Sequence, residues 1–196
     1  MDLQEFSYRL TKGERVFRKA DLSGLDLQGL NLSRLDLSFA NLSDCNLSAT
    51  CLAEASLEGV RLHNTLLHNG VLFNTNFCRA NIDGLKAHSI TLQRVNFGGA
   101  LIRNSEFKAA RLASVNFAQA QLKQVCFYQS SILWCNLSRS QLTQVDFSQS
   151  KLDQSDFRFS QMDLVRLEKC ILEQNPFRGA QLQTLWSGNL QPSIKL

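Results

Sequence analysis

The chain has 196 residues, 44% apolar and 19% charged, with a formal net charge of +4; this is enough for one domain with a substantial core, and too mild a charge to assign a polyanionic partner by itself. No apolar run approaches the ~18 residues of a membrane helix, and the opening MDLQEFSYRLTKGER lacks the apolar stretch of a signal peptide, so no membrane contact and a cytoplasmic location are expected. Cys45, Cys51, Cys78, Cys126, Cys135 and Cys170 form no CxxC and no Cys/His pair at zinc spacing, so no metal, cofactor or disulfide framework is expected.

The first predicted element is a short helix. Leu3, Phe6 and Leu10 fall on one helical face, Asp2 is placed to N-cap and Gly13 to end it. Residues 1–14 read as an N-terminal helical cap, 15–184 as a repeat body and 185–196 as a C-terminal tail or cap.

From Phe17 onward the period is five. Stepping from Phe17 to Leu182 gives 34 positions, and all are Leu, Phe, Ile or Met except Ala87. Neither a helix (period 3.6) nor a strand (period 2) places large apolar residues this way. A second inward position lies two residues before each centre. From 20 to 180 there are 33 such positions, and 27 are Ala, Cys, Ser, Thr, Val or Gly; Leu25, Leu30, Leu35, Leu85, Ile90 and Asn175 are the exceptions. No charge occupies either inward position, so the other three positions of each unit face water. The early leucines suggest a wider first turn that receives the helical cap. The small centre at Ala87 predicts a bulge there, or compensation by Leu85 or Ile90.

AlaAspLeuSerGly at 20–24, AlaAsnLeuSerAsp at 40–44 and AlaAsnIleAspGly at 80–84 resemble the A(D/N)LXX unit of the pentapeptide-repeat family. The resemblance implies an all-β, right-handed quadrilateral β-helix with four units per coil, here about eight coils. The entry residues Gly13, Arg15 and Phe17 are similar to those of cyanobacterial members. Four units per coil stack residues 20 apart. Asn76, Asn96, Asn116 and Asn136 then form one column, and Gln121, Gln141, Gln161 and Gln181 another, each a candidate amide ladder. Phe77, Phe97, Phe117, Phe157 and Phe177 share one face, opposite Phe107, Phe127 and Phe147. Two residues after the centres, Gly or Asn recurs (Gly24, Gly59, Asn64, Asn104), as turns with positive φ favour.

A packed rod of this kind offers no catalytic pocket, so an enzyme is not expected. His68 and His88 should stack, with no carboxylate in their column. The charge is uneven: residues 1–60 carry −3, residues 61–142 carry +7 and the rest balance. Arg61, Arg103 and Lys123 share one face, but the nine bases of the middle spread over all four. Outward aromatics are the other candidates: Phe39, Phe73, Tyr128, Trp134 and Phe159, with Leu133 beside Trp134. The expected function is a non-catalytic protein-binding or scaffold module with a protein partner. The alternatives are a DNA-mimicking topoisomerase modulator, which the positive charge opposes, and a nucleic-acid binder acting through the basic middle. Leu185, Trp186 and Leu190 follow the last regular centre; they are expected to cap the rod as a monomer or to join two rods end to end.

Overall fold

The computed structural model describes residues 1–186, and of the side chains those up to Gln183. An α-helix, α1 (Leu3–Thr11), leads into a parallel β-solenoid. Asp2 caps the helix by accepting the Glu5 N–H at 2.8 Å. Phe6 is fully buried and meets the Phe17 ring edge-on at 4.8 Å, so the helix closes the open end of the core. Leu10 and Met1 pack beside it. Leu3, expected on the same apolar face, is instead 39% exposed.

The solenoid repeats every 20 residues. Up to Ser56 each coil is tied to the next by single parallel bridges, such as Val16 to Asp36 and Asp21 to Asn41. Thereafter three-residue strands form on two of the four faces: β1 (Arg61–His63), β2 (Val71–Phe73), β3 (Asn81–Asp83), β4 (Thr91–Gln93), β5 (Leu101–Arg103), β6 (Arg111–Ala113), β7 (Gln121–Lys123), β8 (Ser131–Leu133), β9 (Gln141–Thr143), β10 (Lys151–Asp153), and then β11 (Gln161–Arg166), β12 (Ile171–Glu173) and β13 (Gln181–Trp186). The odd-numbered strands make one sheet in the order β1-β3-β5-β7-β9-β11-β13, and the even-numbered strands the other. We number the faces by their centres: face one carries Phe17 and every twentieth residue after it, face two Leu22, face three Leu27 and face four Leu32. The seven-stranded sheet is face two and the six-stranded sheet face four.

The core is built from the five-residue period. Along each strand the centre is buried and its neighbours face outward, as at Arg61–Leu62–His63. Rings stack along the axis on face one (Phe77–Phe97 at 4.9 Å, Phe97–Phe117 at 5.2 Å) and on face three (Phe107–Phe127 at 5.2 Å, Phe127–Phe147 at 5.3 Å). The two columns meet across the axis edge to face, Phe117 with Phe127 at 6.1 Å, a favourable arrangement of ring quadrupoles.

The small inward position tolerates Ser, Thr and Cys because a partner lies directly below. Thr65 and Thr75 hydroxyls donate to the Leu42 and Leu52 carbonyls, and Ser130 and Ser150 to those of Phe107 and Phe127, at 2.6–2.9 Å. In these four the acceptor is a centre residue of the preceding coil, whereas Thr50, Ser140 and Ser160 donate to the centre three residues back in their own coil; either way the buried hydroxyl is satisfied. Asn175 obeys the same rule with two bonds: its amide donates to the Leu152 carbonyl and accepts the Ser155 N–H.

At Ala87 the second of the two expected outcomes is found. No bulge forms: its N–H reaches the Glu106 carbonyl at 2.7 Å, and Lys86 pairs in register with both Leu66 and Glu106. Leu85 and Ile90 are both buried and supply the volume that Ala87 lacks. The register breaks instead between β11 and β13, where Asp163 pairs with Thr184, close to where the repeat ends. One expectation needs correction: the Gln column lacks the expected ladder. Gln121, Gln141, Gln161 and Gln181 are paired through their backbones, but their exposed amides make no side-chain bonds to one another among the described residues. The Asn column does form one: each Oδ1 accepts the N–H two residues on, which aims the amide nitrogen along the axis, and Asn116 donates to Asn96 at 2.9 Å. Gln has one more torsion to restrain, and stacked Gln amides bond elsewhere, as Gln129 does to Gln149 at 3.1 Å.

Candidate functional site

The chemistry-bearing side chains do not converge on a pocket. On face three the His68 and His88 rings lie one above the other, 4.8 Å apart and tilted by 56°. The His88 backbone N–H donates to His68 Nδ1 at 3.2 Å, which leaves the His68 proton on Nε2. No carboxylate adjoins them in their own column, as expected, but one reaches His88 from the neighbouring outward column: Glu106 lies 2.6 Å from His88 Nε2 and 2.8 Å from Lys108 Nζ. The hydrogen bond from Lys108 holds the Glu106 carboxyl below its ordinary range against the opposing effect of burial, and His88 adds to it. Burial, with the charges of His88 and Lys86, pushes His68 down. No cluster of three or more metal-ligating side chains occurs among the described residues. The inward thiols are inert: burial pushes Cys135 up to about 12 and Cys170 up to about 11. A shallow cavity of about 300 Å³ between faces two and three, lined by Gln124, Gln144, Val145, Asp146, Leu164 and Arg166, contains none of these groups.

The basic candidates share a sheet without forming a continuous stripe. Arg61, Arg103 and Lys123 project from β1, β5 and β7. Arg103 sits in register between Asp83 and Lys123 and donates to Asn81 Oδ1 at 3.2 Å. Asp83 thus interrupts the positive row, which a protein tracking a phosphate backbone would keep continuous. The remaining bases of the middle coils lie on the other three faces.

The aromatic candidates divide into two kinds. Phe39 and Phe159 are 43% and 55% exposed, yet each ring lies over a glycine of the next coil. A Cβ at Gly59 would stand 2.5 Å from the Phe39 ring, and one at Gly179 2.7 Å from the Phe159 ring. These rings cover backbone and belong to the fold. Tyr128 is half-buried on face three, in the column of His88 and Lys108, and stands apart from the rest.

Phe73, Leu133 and Trp134 lie on one face, face four, with Leu133 and Trp134 adjacent and Phe73 three coils away. Phe73 ends β2 and Leu133 ends β8, with Gln93 and Ala113 between them in register. Trp134 is 54% exposed and occupies a left-handed corner at φ 54°. Its N–H is tied to the Asp153 carbonyl at 2.9 Å, so the indole is displayed from a fixed backbone with no ring or glycine beneath it. Val71, also 54% exposed, extends the apolar patch, and the Arg94 guanidinium lies 5.6 Å from the Phe73 ring. Sequence reasoning missed Val71, Arg94 and Arg111; sorting the outward residues into columns 20 apart would have found them. At the far end, Leu185 and Trp186 pair through their backbones with Val165 and Arg166, while Leu190 lies outside the described residues.

A family model described as pentapeptide repeats (8 copies) matches residues 16–53, and one described as a pentapeptide repeat region matches residues 100–177, together more than half of the chain. Similar solved structures include HetL from the cyanobacterium Nostoc sp. strain PCC 7120, a pentapeptide repeat protein involved in heterocyst differentiation regulation: it is 20% identical, with 94% of this chain and 96% of that one covered and a TM-score of 0.31. Rfr23 from the cyanobacterium Cyanothece 51142 is 15% identical over 92% of this chain and 95% of its own, with a TM-score of 0.19. A trypsin-treated form of QnrB1, a plasmid-mediated fluoroquinolone resistance protein, is 13% identical over 81% and 90%, with a TM-score of 0.36. At such identities and scores these likenesses carry no functional information. A comparison with curated proteins finds no match. The five-residue period, the 20-residue parallel register and the two family matches agree: this chain belongs to the pentapeptide-repeat family.

Proposed function

We propose that the solenoid is a non-catalytic protein-binding module that engages its partner through face four. The observation that carries this reading is Trp134, a large amphipathic ring held in the open by a hydrogen-bonded corner, with Leu133 beside it and Phe73 on the same sheet. Exposed tryptophans of this kind supply a disproportionate share of interface energy, because a rigid ring loses little entropy on docking. Of the other exposed rings, Phe39 and Phe159 cover glycines, and Tyr8 stands on the cap helix with the Lys12 ammonium 5.4 Å from its ring; Trp134 is the exposed ring of the solenoid faces that has neither a glycine nor a cation against it among the described residues. The net charge of +4 is the reverse of what a DNA mimic presents to basic DNA-binding clefts.

A photo-crosslinking amino acid placed at position 134 tests the reading, with position 121 on face two as its reference. The expected result, in extract from the native cell, is a discrete adduct at 134 alone. Excess unlabelled protein should compete it away, and excess Trp134→Ala protein should not. Equal labelling at both positions, or competition by the variant, would overturn the proposal.

A further inference from the structure

Face four changes character along the rod. From Val71 to Trp134 its outward residues are Val71, Phe73 and Asn74, then Thr91, Gln93 and Arg94, then Arg111, Ala113 and Ser114, then Ser131, Leu133 and Trp134. Not one is a carboxylate. Neither Arg94 nor Arg111 makes an ion pair among the described residues, and both are exposed. Below and above this stretch the bases of the same face are paired: Arg34 with Glu54 at 3.0 Å, and Lys151 with Glu173 at 3.1 Å and Asp153 at 3.9 Å. Where Arg94 has a neighbour, it is the face of Phe73, which leaves its outer edge and its donors directed at solvent.

We infer that face four binds an acidic protein segment carrying apolar side chains, laid across the strands between Phe73 and Trp134. This rests on the function proposed above and specifies its partner. The four coils span roughly 14 Å along the axis, about the reach of four or five extended residues. Apolar side chains of the segment would meet Val71, Phe73, Leu133 and Trp134, and its carboxylates would meet Arg94 and Arg111 between them. Charge complementarity selects this occupant. A second copy docked face four to face four would offer these arginines only Glu54, already paired with Arg34, and Asp153 and Glu173, both already paired with Lys151. The guanidinium fork suits carboxylates in two-point contact, and the adjoining rings exclude water from that contact.

The test is selection of random 12-residue peptides on the intact protein, followed by binding of the selected peptides and of a fluorescent oligothymidylate of 20 nucleotides. Peptides enriched in Asp and Glu beside Leu, Phe or Trp are expected. Binding should weaken about tenfold or more in R94E/R111E and with added salt, fall comparably in Trp134→Ala, and stay unchanged in Arg139→Glu on face one. All variants should retain the thermal unfolding of the parent. Apolar, uncharged peptides that depend on Trp134 but ignore R94E/R111E would overturn the acidic partner and leave the proposed function standing. Peptides indifferent to Trp134 would overturn both. Oligothymidylate binding as tight as the peptides, and equally sensitive to R94E/R111E, would overturn the inference in favour of a nucleic acid.

Discussion

The residue that most strains this fold is the one two places after each centre. Twenty-seven non-glycine residues have positive φ, and all of them occupy that slot, together with Gly24, Gly29, Gly59, Gly84, Gly99 and Gly179. A left-handed conformation costs an L-residue ~1–2 kcal/mol. It persists because the N–H at that slot is drawn to the next coil, as Phe39 N–H is to the Glu58 carbonyl at 2.7 Å. Gly59 carries a second constraint, the Phe39 ring packed onto it. Gly59→Ala should therefore destabilise by about 1–3 kcal/mol in denaturant titration. Combining it with Phe39→Ser should recover the part due to the ring and leave the backbone part, so a double-mutant cycle with no coupling would refute the contact. His68 gives a second prediction at this scale. Its folded value is held below the ordinary 6.5, so the unfolded chain takes up the proton first as pH falls. Its contribution to stability is complete above the ordinary value and is lost as pH falls through the folded one. Glu106, held below 4.5, acts in the same direction at lower pH. Unfolding midpoints should decline from pH 7 to pH 5, and His68→Gln should flatten that decline while leaving the steeper loss below pH 4.5.

The working element is the column of residues 20 apart. Strands of three residues are too short to be stable alone; each exists because an identical one lies above and below. The Phe107, Phe127 and Phe147 stack shows what a column contributes. Phe127 touches rings on both axial sides and Phe117 across the core. Phe127→Ala should cost about 3–5 kcal/mol, read by thermal or chemical unfolding, whereas Phe77→Ala, with one ring neighbour rather than three, should cost less. Equal costs would mean that ring contacts do not set the energy of the column. The helix α1 is the same principle applied at an end: Phe6 supplies to Phe17 the partner that a preceding coil would have supplied.

For the whole molecule, each coil chiefly contacts its neighbours, so stability should depend on keeping columns aligned more than on any particular coil. Removing residues 101–120 deletes one full period. Gln121 would take the place of Leu101 opposite Asn81, and every ring column would remain. Removing residues 116–120 deletes less chain but advances all later residues by one face, which sets Phe127 above Ile102. The longer deletion is expected to keep a cooperative unfolding transition near the parent's, and the shorter one to lose far more. Circular dichroism melts of the two proteins compare them directly.

Much of this was legible in the sequence because the fold is a one-dimensional code. A large apolar residue every fifth position and a small one two places earlier determined which side chains face inward, and the Phe columns at 20-residue spacing determined the four-sided coil. At Ala87 the sequence left two outcomes, a bulge or compensation by Leu85 or Ile90, and only the packed structure decides for the second. One structural detail was invisible because it depends on what a neighbour in the next coil supplies. Phe39, Phe159 and Trp134 read as three equivalent exposed rings. Only the tertiary structure separates the first two, which have a glycine 20 residues on to lie upon, from Trp134, which has Gln154 there and stays in the open. The alignment of Phe73, Arg94, Arg111 and Trp134 along one carboxylate-free stretch of face four was likewise decided by stacking, since no local motif links residues that share a face only after the chain has gone round three times.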